Sequence, residues 1–363
     1  MFTAHDHQFM AQALRLAERG LYTATPNPRV GCVIARNGKL VGSGWHEQAG
    51  QPHAEIHALH NAGEAARGAT AYVTLEPCSH HGRTPPCANA LIEAGIANVI
   101  IAMEDPNPMV SGRGCARLEQ AGIAVQTGLL HAEAHALNIG FVSRMVKKKP
   151  WVRIKVATSL DGKTALNNGA SQWITGEAAR RDGHQWRARS CAILTGIGTV
   201  QADDPQLTVR HVKTTRQPKK IVVDRHLAIS SHAKLLQGSG ETWIFTANEG
   251  DTKKKAALHR MGANVIVLPD TGGAVDLEAM MAMLATDSGI NEILVEAGSG
   301  LNGALVAAGL VDELVIYLAP HLLGNAAQGI CKLPELTQLD RRKTLAIQDL
   351  RMIGCDIRVV ARL

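Results

Sequence analysis

The chain has 363 residues, 45% of them hydrophobic, which is long for one domain and comfortable for two with cores of their own. No stretch approaches the roughly 18 uninterrupted apolar residues of a membrane span. Aromatics are only 3% and Lys and Arg are scattered, so platforms for stacking nucleic-acid bases are scarce and no nucleic-acid partner is expected. A net charge of +6 fits either a mildly basic globular protein or one that handles a phosphorylated small molecule.

The predicted elements begin with a helix. Thr3 and Asp6 form a capping-box pattern, Phe9, Met10, Ala13, Leu14 and Ala17 repeat at helical spacing, and Gly20 can stop the run. Residues 30–35 are an apolar strand, Asn37-Gly38 a hairpin turn, and 39–41 the returning strand. A helix over 53–66, a strand over 69–75, a helix from Pro85-Pro86 through Ala94, a strand over 99–103, a helix over 112–121 and a strand over 123–125 follow. The order α-β-β-α-β-α-β-α-β predicts an α/β/α sandwich. A helix over 132–146 precedes Lys147-Lys148-Lys149-Pro150, whose charge and proline mark a domain boundary, giving domains 1–146 and 147–363. Beyond it strands and helices alternate again: strands at 151–158, 191–195, 220–224, 242–246, 264–268, 292–296 and 313–319, and helices at 177–189, 252–261, 277–285 and 301–308. That alternation predicts a largely parallel sheet.

The seven cysteines (Cys32, Cys78, Cys87, Cys115, Cys191, Cys331 and Cys355) are odd in number and irregularly spaced. This argues against a disulfide scaffold and for a reducing cytoplasm. Met1–Asp6 lacks a basic stretch followed by an apolar one, so no secretion signal is expected.

The chemistry concentrates first in His53-Ala54-Glu55, Glu76-Pro77-Cys78 and Cys87. One imidazole and two thiolates neutralise Zn²⁺ and leave a fourth position for water, whose pKa falls toward about 7. Glu55, not a ligand, would take the water proton and pass it to a departing amine, the H-x-E … P-C pattern of nucleobase-type deaminases. His53 and Cys87 each stand at a predicted helix start, where partial positive charge favours thiolate. His53 and Glu55 are two apart and diverge on an ideal helix, so both reach one centre only if it lies over the helix end. A second reading is a closed structural site with His80 or His81 as fourth ligand. His57 and His60 read as packing or surface residues.

Eight residues separate Cys78 from Cys87, unlike the common C-x-x-C. With Thr25-Pro26-Asn27-Pro28-Arg29-Val30-Gly31-Cys32 upstream and Asp105-Pro106-Asn107-Pro108 downstream, the sequence resembles the bifunctional riboflavin-biosynthesis deaminase/reductases over nearly its whole length. The resemblance implies a cytidine-deaminase-like first domain. It would remove the 2-amino group of 2,5-diamino-6-(5-phosphoribosylamino)pyrimidin-4-one. An NADPH-dependent second domain, similar to dihydrofolate reductase, would then reduce the ribosyl side chain to ribityl. Asn27 would touch the pyrimidine. Asp105 and Asn107 would line the pocket, or serve only as turn-forming residues beside prolines.

In the second domain, Glu296-Ala297-Gly298-Ser299-Gly300-Leu301-Asn302-Gly303 follows a strand and opens a helix. It reads as a G-x-G-x-x-G pyrophosphate cradle or as a plain tight turn. No acidic ribose-binding residue follows at about 20 positions, as a dinucleotide fingerprint requires. The stretches 155–164, 171–175 and 196–205, with Leu207 and Arg210, also resemble the reductase half of the family. By that resemblance Ala157, Trp173, Thr199, Asp203 and the loop Gly298, Ser299, Gly300, Leu301, Asn302, Gly303 and Ala304 would hold NADPH. Ser171, Arg187, Leu207, Arg210 and Glu296 would hold the ribose phosphate. Arg187 and Arg210 offer forked donors suited to a phosphate dianion; Arg187 also reads as a solvated helix residue. The acid of the reduction would be Asp203, with Lys155 second, although Asp203-Asp204-Pro205 also reads as a turn. Arg225 is a candidate for a 2′-phosphate. The partner is thus a phosphorylated pyrimidine, with no nucleic acid, no membrane, and a homo-oligomer (dimer or tetramer) as the expected assembly. A nucleic-acid base deaminase carrying an unrelated nucleotide-binding domain, and a non-enzymatic zinc module, are the competing readings.

Overall fold

The capping box at Thr3 forms: its hydroxyl accepts from the Asp6 amide, the Asp6 carboxylate accepts the Thr3 amide at 2.7 Å, and helix α1 (Ala4–Glu18) begins there with its five predicted apolar residues buried. The structure, a computed structural model, describes residues 1–79 and 86–363. It divides into two units, Met1–Lys148 and Lys149–Leu363. The first continues with β1 (Gly31–Arg36), β2 (Lys39–Trp45), α2 (Ala54–Ala62), β3 (Thr70–Val73), α3 (Cys87–Glu93), β4 (Asn98–Ile101), α4 (Arg113–Gln120), β5 (Ala124–Thr127), α5 (His131–Leu137) and α6 (Ile139–Lys147). Its sheet runs β2-β1-β3-β4-β5, with β1 antiparallel to both neighbours and the rest parallel. As far as β5 the predicted element order is the observed one.

Two departures bear on the site. Strand β2 runs on to Trp45, past the predicted end at Val41, through Gly42 and Gly44. Glycine usually weakens a strand, but here it admits a close backbone approach. A Cβ on Gly42 would lie 2.3 Å from the Ala58 carbonyl, and one on Gly44 2.5 Å from that of Ala54. Helix α2, which carries Glu55, therefore lies directly on β2. The single helix predicted over 132–146 is instead two, broken at Asn138. The buried Asn138 amide pairs with the Arg29 peptide, accepting its N–H at 2.8 Å and donating to its carbonyl at 2.9 Å. The Arg29 guanidinium donates to the Leu137 carbonyl at 2.7 Å. The break ties down the loop that presents Asn27.

The second unit contains β6 (Trp151–Ser159), β7 (Lys163–Ala165), α7 (Glu177–Arg189), β8 (Ala192–Gly196), α8 (Ile197–Asp203), β9 (Lys219–Val223), β10 (Thr242–Thr246), α9 (Thr252–Arg260), β11 (Ala263–Val267), α10 (Leu277–Thr286), β12 (Glu292–Val295), α11 (Ser299–Ala307), β13 (Glu313–Ala319), β14 (Gln328–Gly329), β15 (Ala346–Ile353) and β16 (Asp356–Arg362). Nine strands form one sheet in the order β11-β10-β9-β8-β12-β6-β13-β16-β15. It is parallel as far as β13, and β16 and β15 then add antiparallel. Strands β7 and β14 pair separately. The parallel part was predicted; β7, α8 and β14–β16 were not. Strand β12 is buried at every position and three of its four residues, Ile293, Leu294 and Val295, are apolar, as a sheet covered on both faces requires.

At the centre of this sheet Arg153 is buried on β6 between Glu292 of β12 and Glu313 of β13, bonded to both carboxylates. The pairing is a registered consequence of the strand order, since Glu313 lies opposite Arg153. No helix among the described residues is long and apolar enough to cross a membrane.

Candidate active sites

In the first unit His53 is the N-cap of α2, with extended backbone, and Glu55 lies in the first helical turn. The imidazole therefore leaves the chain just outside the helix, which removes the divergence expected of two positions on one ideal helix. Cys78 lies beyond the end of β3, and Cys87 opens α3 after Pro86. The ligand atoms of His53, Cys78 and Cys87 all lie within 4.8 Å of one another. His53 Nδ1 is 3.2 Å from Cys87 Sγ and 3.6 Å from Cys78 Sγ, and the Cys87 amide donates to Cys78 Sγ at 3.3 Å. The Cys87 thiol and the His53 imidazole pull Cys78 down to about 4, whereas Cys78 and burial push Cys87 up.

Glu55 is buried, and its Oε2 has no hydrogen-bond partner among the described residues. Burial pushes its carboxyl up to about 7. Buried carboxylate oxygens are nearly always paired. One left open beside an imidazole and two thiols is the arrangement of a three-ligand zinc site with an adjacent proton acceptor. The residues thus fit Zn²⁺. His80 and His81, the alternative fourth ligands, lie outside the described residues, as do Gly82 to Pro85.

Asn27 is half-buried, and its Nδ2 lies 3.1 Å from His46 Nε2. The His46 ring packs edge-on against His53, with centroids 5.3 Å apart. His46 was not anticipated: it has no motif spacing to His53 and is brought there by β2. Asp105 and Asn107 form successive Asx turns, accepting from the amides of Asn107 at 2.8 Å and Met109 at 3.1 Å. Glu76, read at first only as part of the cysteine motif, binds four backbone amides, those of Asp105 in this loop and of Gly112, Gly114 and Cys115 at the start of α4. His57 packs against Gly44 and His60 is exposed.

The second unit contains a cleft of about 1130 Å³. Among its lining residues are Lys155, Ala157, Ser171, Trp173, Arg187, Thr199, Asp203, Leu207, Arg210, Glu296 and the turn from Gly298 to Leu301. Asn302, Gly303 and Ala304 do not line it. Asn302 is buried and donates to the Ala297 and Ile330 carbonyls. A Cβ on Gly303 would lie 2.0 Å from the Lys332 carbonyl, so this glycine serves packing. Arg225 lies outside the cleft and donates to the Gly272 carbonyl. By contrast, a Cβ on Gly198 or Gly300 would meet nothing within 4 Å, and one on Gly298 only Thr199 Oγ1 at 3.9 Å. Gly298 and Gly300 leave backbone bare at the start of α11, whose first turn has no side-chain cap, and Gly198 does so in the first turn of α8. Side chains there would fill the cradle, so the site fits a pyrophosphate-bearing cofactor.

Arg187 does not present a clear fork to the cleft. Its Nε and Nη2 grip the Glu296 carboxylate at 2.6 and 2.9 Å, and its Nη1 donates to the Thr208 carbonyl. Burial alone would raise the Glu296 pKa, but Arg187 and Lys155 outweigh it and hold Glu296 at about 2. Burial lowers the Lys155 pKa, with Glu296 opposing. Arg210 is exposed in the cleft, bonded to Gln206 and Thr208 of its own loop. Asp203 is exposed at the end of α8, 3.5 Å from Gln172 Nε2.

The family described as the cytidine and deoxycytidylate deaminase zinc-binding region matches residues 3–103, and the RibD C-terminal domain matches residues 150–359. The chain is 49% identical to the riboflavin biosynthesis protein RibD of Escherichia coli, over 97% of this chain and 98% of that protein. It superposes on Acinetobacter baumannii RibD with a TM-score of 0.92 at 42% identity, covering 99% of this chain and 98% of that one. A Thermotoga maritima structure gives 0.87 at 32% identity, covering 99% and 98%. That protein is titled a diaminohydroxyphosphoribosylaminopyrimidine deaminase/5-amino-6-(5-phosphoribosylamino)uracil reductase. A chain that matches such proteins from end to end belongs with them, to the RibD family of riboflavin-biosynthesis deaminase/reductases, whose deaminase half takes zinc and whose reductase half takes NADPH.

Proposed function

We propose that residues 1–146 deaminate 2,5-diamino-6-(5-phosphoribosylamino)pyrimidin-4-one and that residues 147–363 then reduce its ribosyl chain, giving 5-amino-6-(5-phosphoribitylamino)uracil. The convergence of His53, Cys78 and Cys87 beside the Glu55 Oε2, unpartnered among the described residues, carries the reading. The three side chains hold the metal. Bound zinc supplies the Lewis acidity that makes water nucleophilic near neutral pH. Glu55 takes the water proton and delivers it to the leaving amine, a task its raised pKa suits. Asn27 binds the ring from the loop fixed by Arg29 and Asn138, and the Asp105–Asn107 turns line the pocket.

In the reductase, Ala157, Trp173, Thr199, Asp203 and the bare turn at Gly298–Leu301 hold NADPH, which supplies two electrons when bound. Arg210, with Ser171 and Leu207, receives the phosphate; Arg187 acts through the Glu296 carboxylate it fixes. The nitrogen side needs a proton, and the cleft offers Asp203 and Lys155. Burial of Lys155 makes its ammonium a better donor than a solvated one. Ile347, Leu350 and Met352, exposed on the edge strand β15, support a homo-oligomer. Seven cysteines free of disulfides support a cytoplasmic enzyme.

The test follows ammonia release and NADPH oxidation together on the purified protein. Ammonia without cofactor, and NADPH consumption only after deamination, is the expected result. Zinc-loaded protein that releases no ammonia would overturn the reading.

A further inference from the structure

Between α8 and β9 the chain forms an arch, residues 204–211, whose Leu207, Arg210 and His211 line the reductase cleft. Three of its non-glycine residues have left-handed backbone: Asp204 at φ 40°, Leu207 at 50° and His211 at 62°. Such conformations are costly for residues with a Cβ and persist where the surroundings over-determine them.

The surroundings here are three side chains from outside the arch, gripping three consecutive residues. Arg187 donates to the Thr208 carbonyl at 2.9 Å. Gln217 clamps Val209, accepting its N–H at 2.7 Å and donating to its carbonyl at 3.3 Å. His184, on α7 and only 7% exposed, accepts the Arg210 N–H on Nδ1 at 3.0 Å. Burial, with Arg187 and Arg210 beside it, pushes His184 down to about 4, so the ring is uncharged at neutral pH and Nδ1 keeps its lone pair. The Arg210 guanidinium is held by Gln206 and Thr208, both in the arch. The position of its charge therefore follows the arch backbone.

We infer that His184 is a positioning residue of the reductase: by accepting the Arg210 amide it holds the arch, and with it the Arg210 guanidinium, where the anionic end of the substrate binds. The inference rests on the reading of Arg210 as a phosphate-binding residue.

Asparagine at this position places an acceptor near the site of Nδ1, and leucine removes it. The full-length chain is assayed for NADPH oxidation on the deaminated ribosyl phosphate, with ammonia release reporting on the intact first unit. For His184→Leu, KM for that substrate rises about tenfold, the worth of one net hydrogen bond. Its kcat stays within about twofold and KM for NADPH is unchanged, a loss of uniform binding. His184→Asn recovers most of the KM. Gln217→Leu, which releases Val209 from the other side, shows the same split and serves if His184→Leu does not fold. Unchanged KM in these variants, a fall in kcat alone, or no recovery with asparagine would overturn the inference. Arg210→Met separates the two layers. If it raises KM while His184→Leu does not, the inference fails and the phosphate reading stands. If it leaves KM unchanged, the phosphate reading itself fails.

Discussion

The deaminase centre and the reductase cleft solve their problems on different plans. In the first, the ligand atoms of three side chains lie within 4.8 Å, and the furthest pair in sequence, His53 and Cys87, is 34 positions apart. His53, Glu55 and Cys87 sit at or just outside a helix start and Cys78 in the segment that follows β3, so the direction of each is set by one local element. In the second, the site is a broad cleft whose decisive contacts join distant parts of the chain: Arg187 to Glu296, 109 positions apart, and Arg187 again to Thr208. A metal centre demands a few donor atoms at short range and localises its information. A cleft for a dinucleotide and a sugar phosphate demands surface, and its information is spread through the sheet that carries it.

Four substitutions or conditions sharpen that contrast, and the largest effect belongs to the metal centre. Cys87→Ala removes one of three ligands, so zinc content and ammonia release should both fall to background. NADPH oxidation on already deaminated substrate should persist, because the cleft takes no residue from that centre. Loss of both activities would mean that the two sites are not separately built.

Next comes Arg153→Met, which removes the buried cation that Glu292 and Glu313 share and leaves them only the more exposed Arg189 at 3.2 Å and Arg362 at 3.7 Å. Removing one partner of a buried ion pair costs roughly 3–5 kcal/mol. Scanning calorimetry of the full chain should show the transition that abolishes NADPH oxidation moving to lower temperature, with the transition that abolishes ammonia release unmoved.

Acid should act on the cleft as well. His184 titrates at about 4 when folded, against 6.5 for a free imidazole. The unfolded state therefore binds more protons as pH falls below 6.5. Stability is intact above that value and is lost progressively toward 4, by about 3 kcal/mol at most. Glu296, held at about 2 against an ordinary 4.5, extends the loss below pH 4.5. His184→Asn should flatten the upper part of the curve, measured as denaturation midpoint against pH. An unchanged slope between 6.5 and 4 would place the His184 imidazole in a more solvated setting.

The same contrast explains what was legible in the sequence. The metal triad and Glu55 declare themselves through spacing and through prolines and helix starts, and the geometry brings the triad together. His46 and the bracing role of Glu76 have no such signal, since each acts through a residue placed by the sheet. In the second unit the buried parallel strands read easily from their apolar runs. Strand β15 does not: it is exposed on both faces, and a bulge between Ile347 and Asp349 shifts its alternation. The G-x-G-x-x-G pattern marks the turn correctly but overextends it, because Asn302 and Gly303 belong to packing behind the helix. The bond between Arg187 and Glu296 has no local signal, because 109 positions separate the two and only the fold of the second unit brings them together.

The central claim is that Glu55 moves the proton at a centre built by His53, Cys78 and Cys87. Its most direct test is Glu55→Gln, with zinc content and ammonia release measured on the same sample. The expected result is full zinc occupancy with ammonia release lowered about 10²–10⁴-fold, the worth of a positioned acid–base group. Full zinc with undiminished ammonia release would contradict the account.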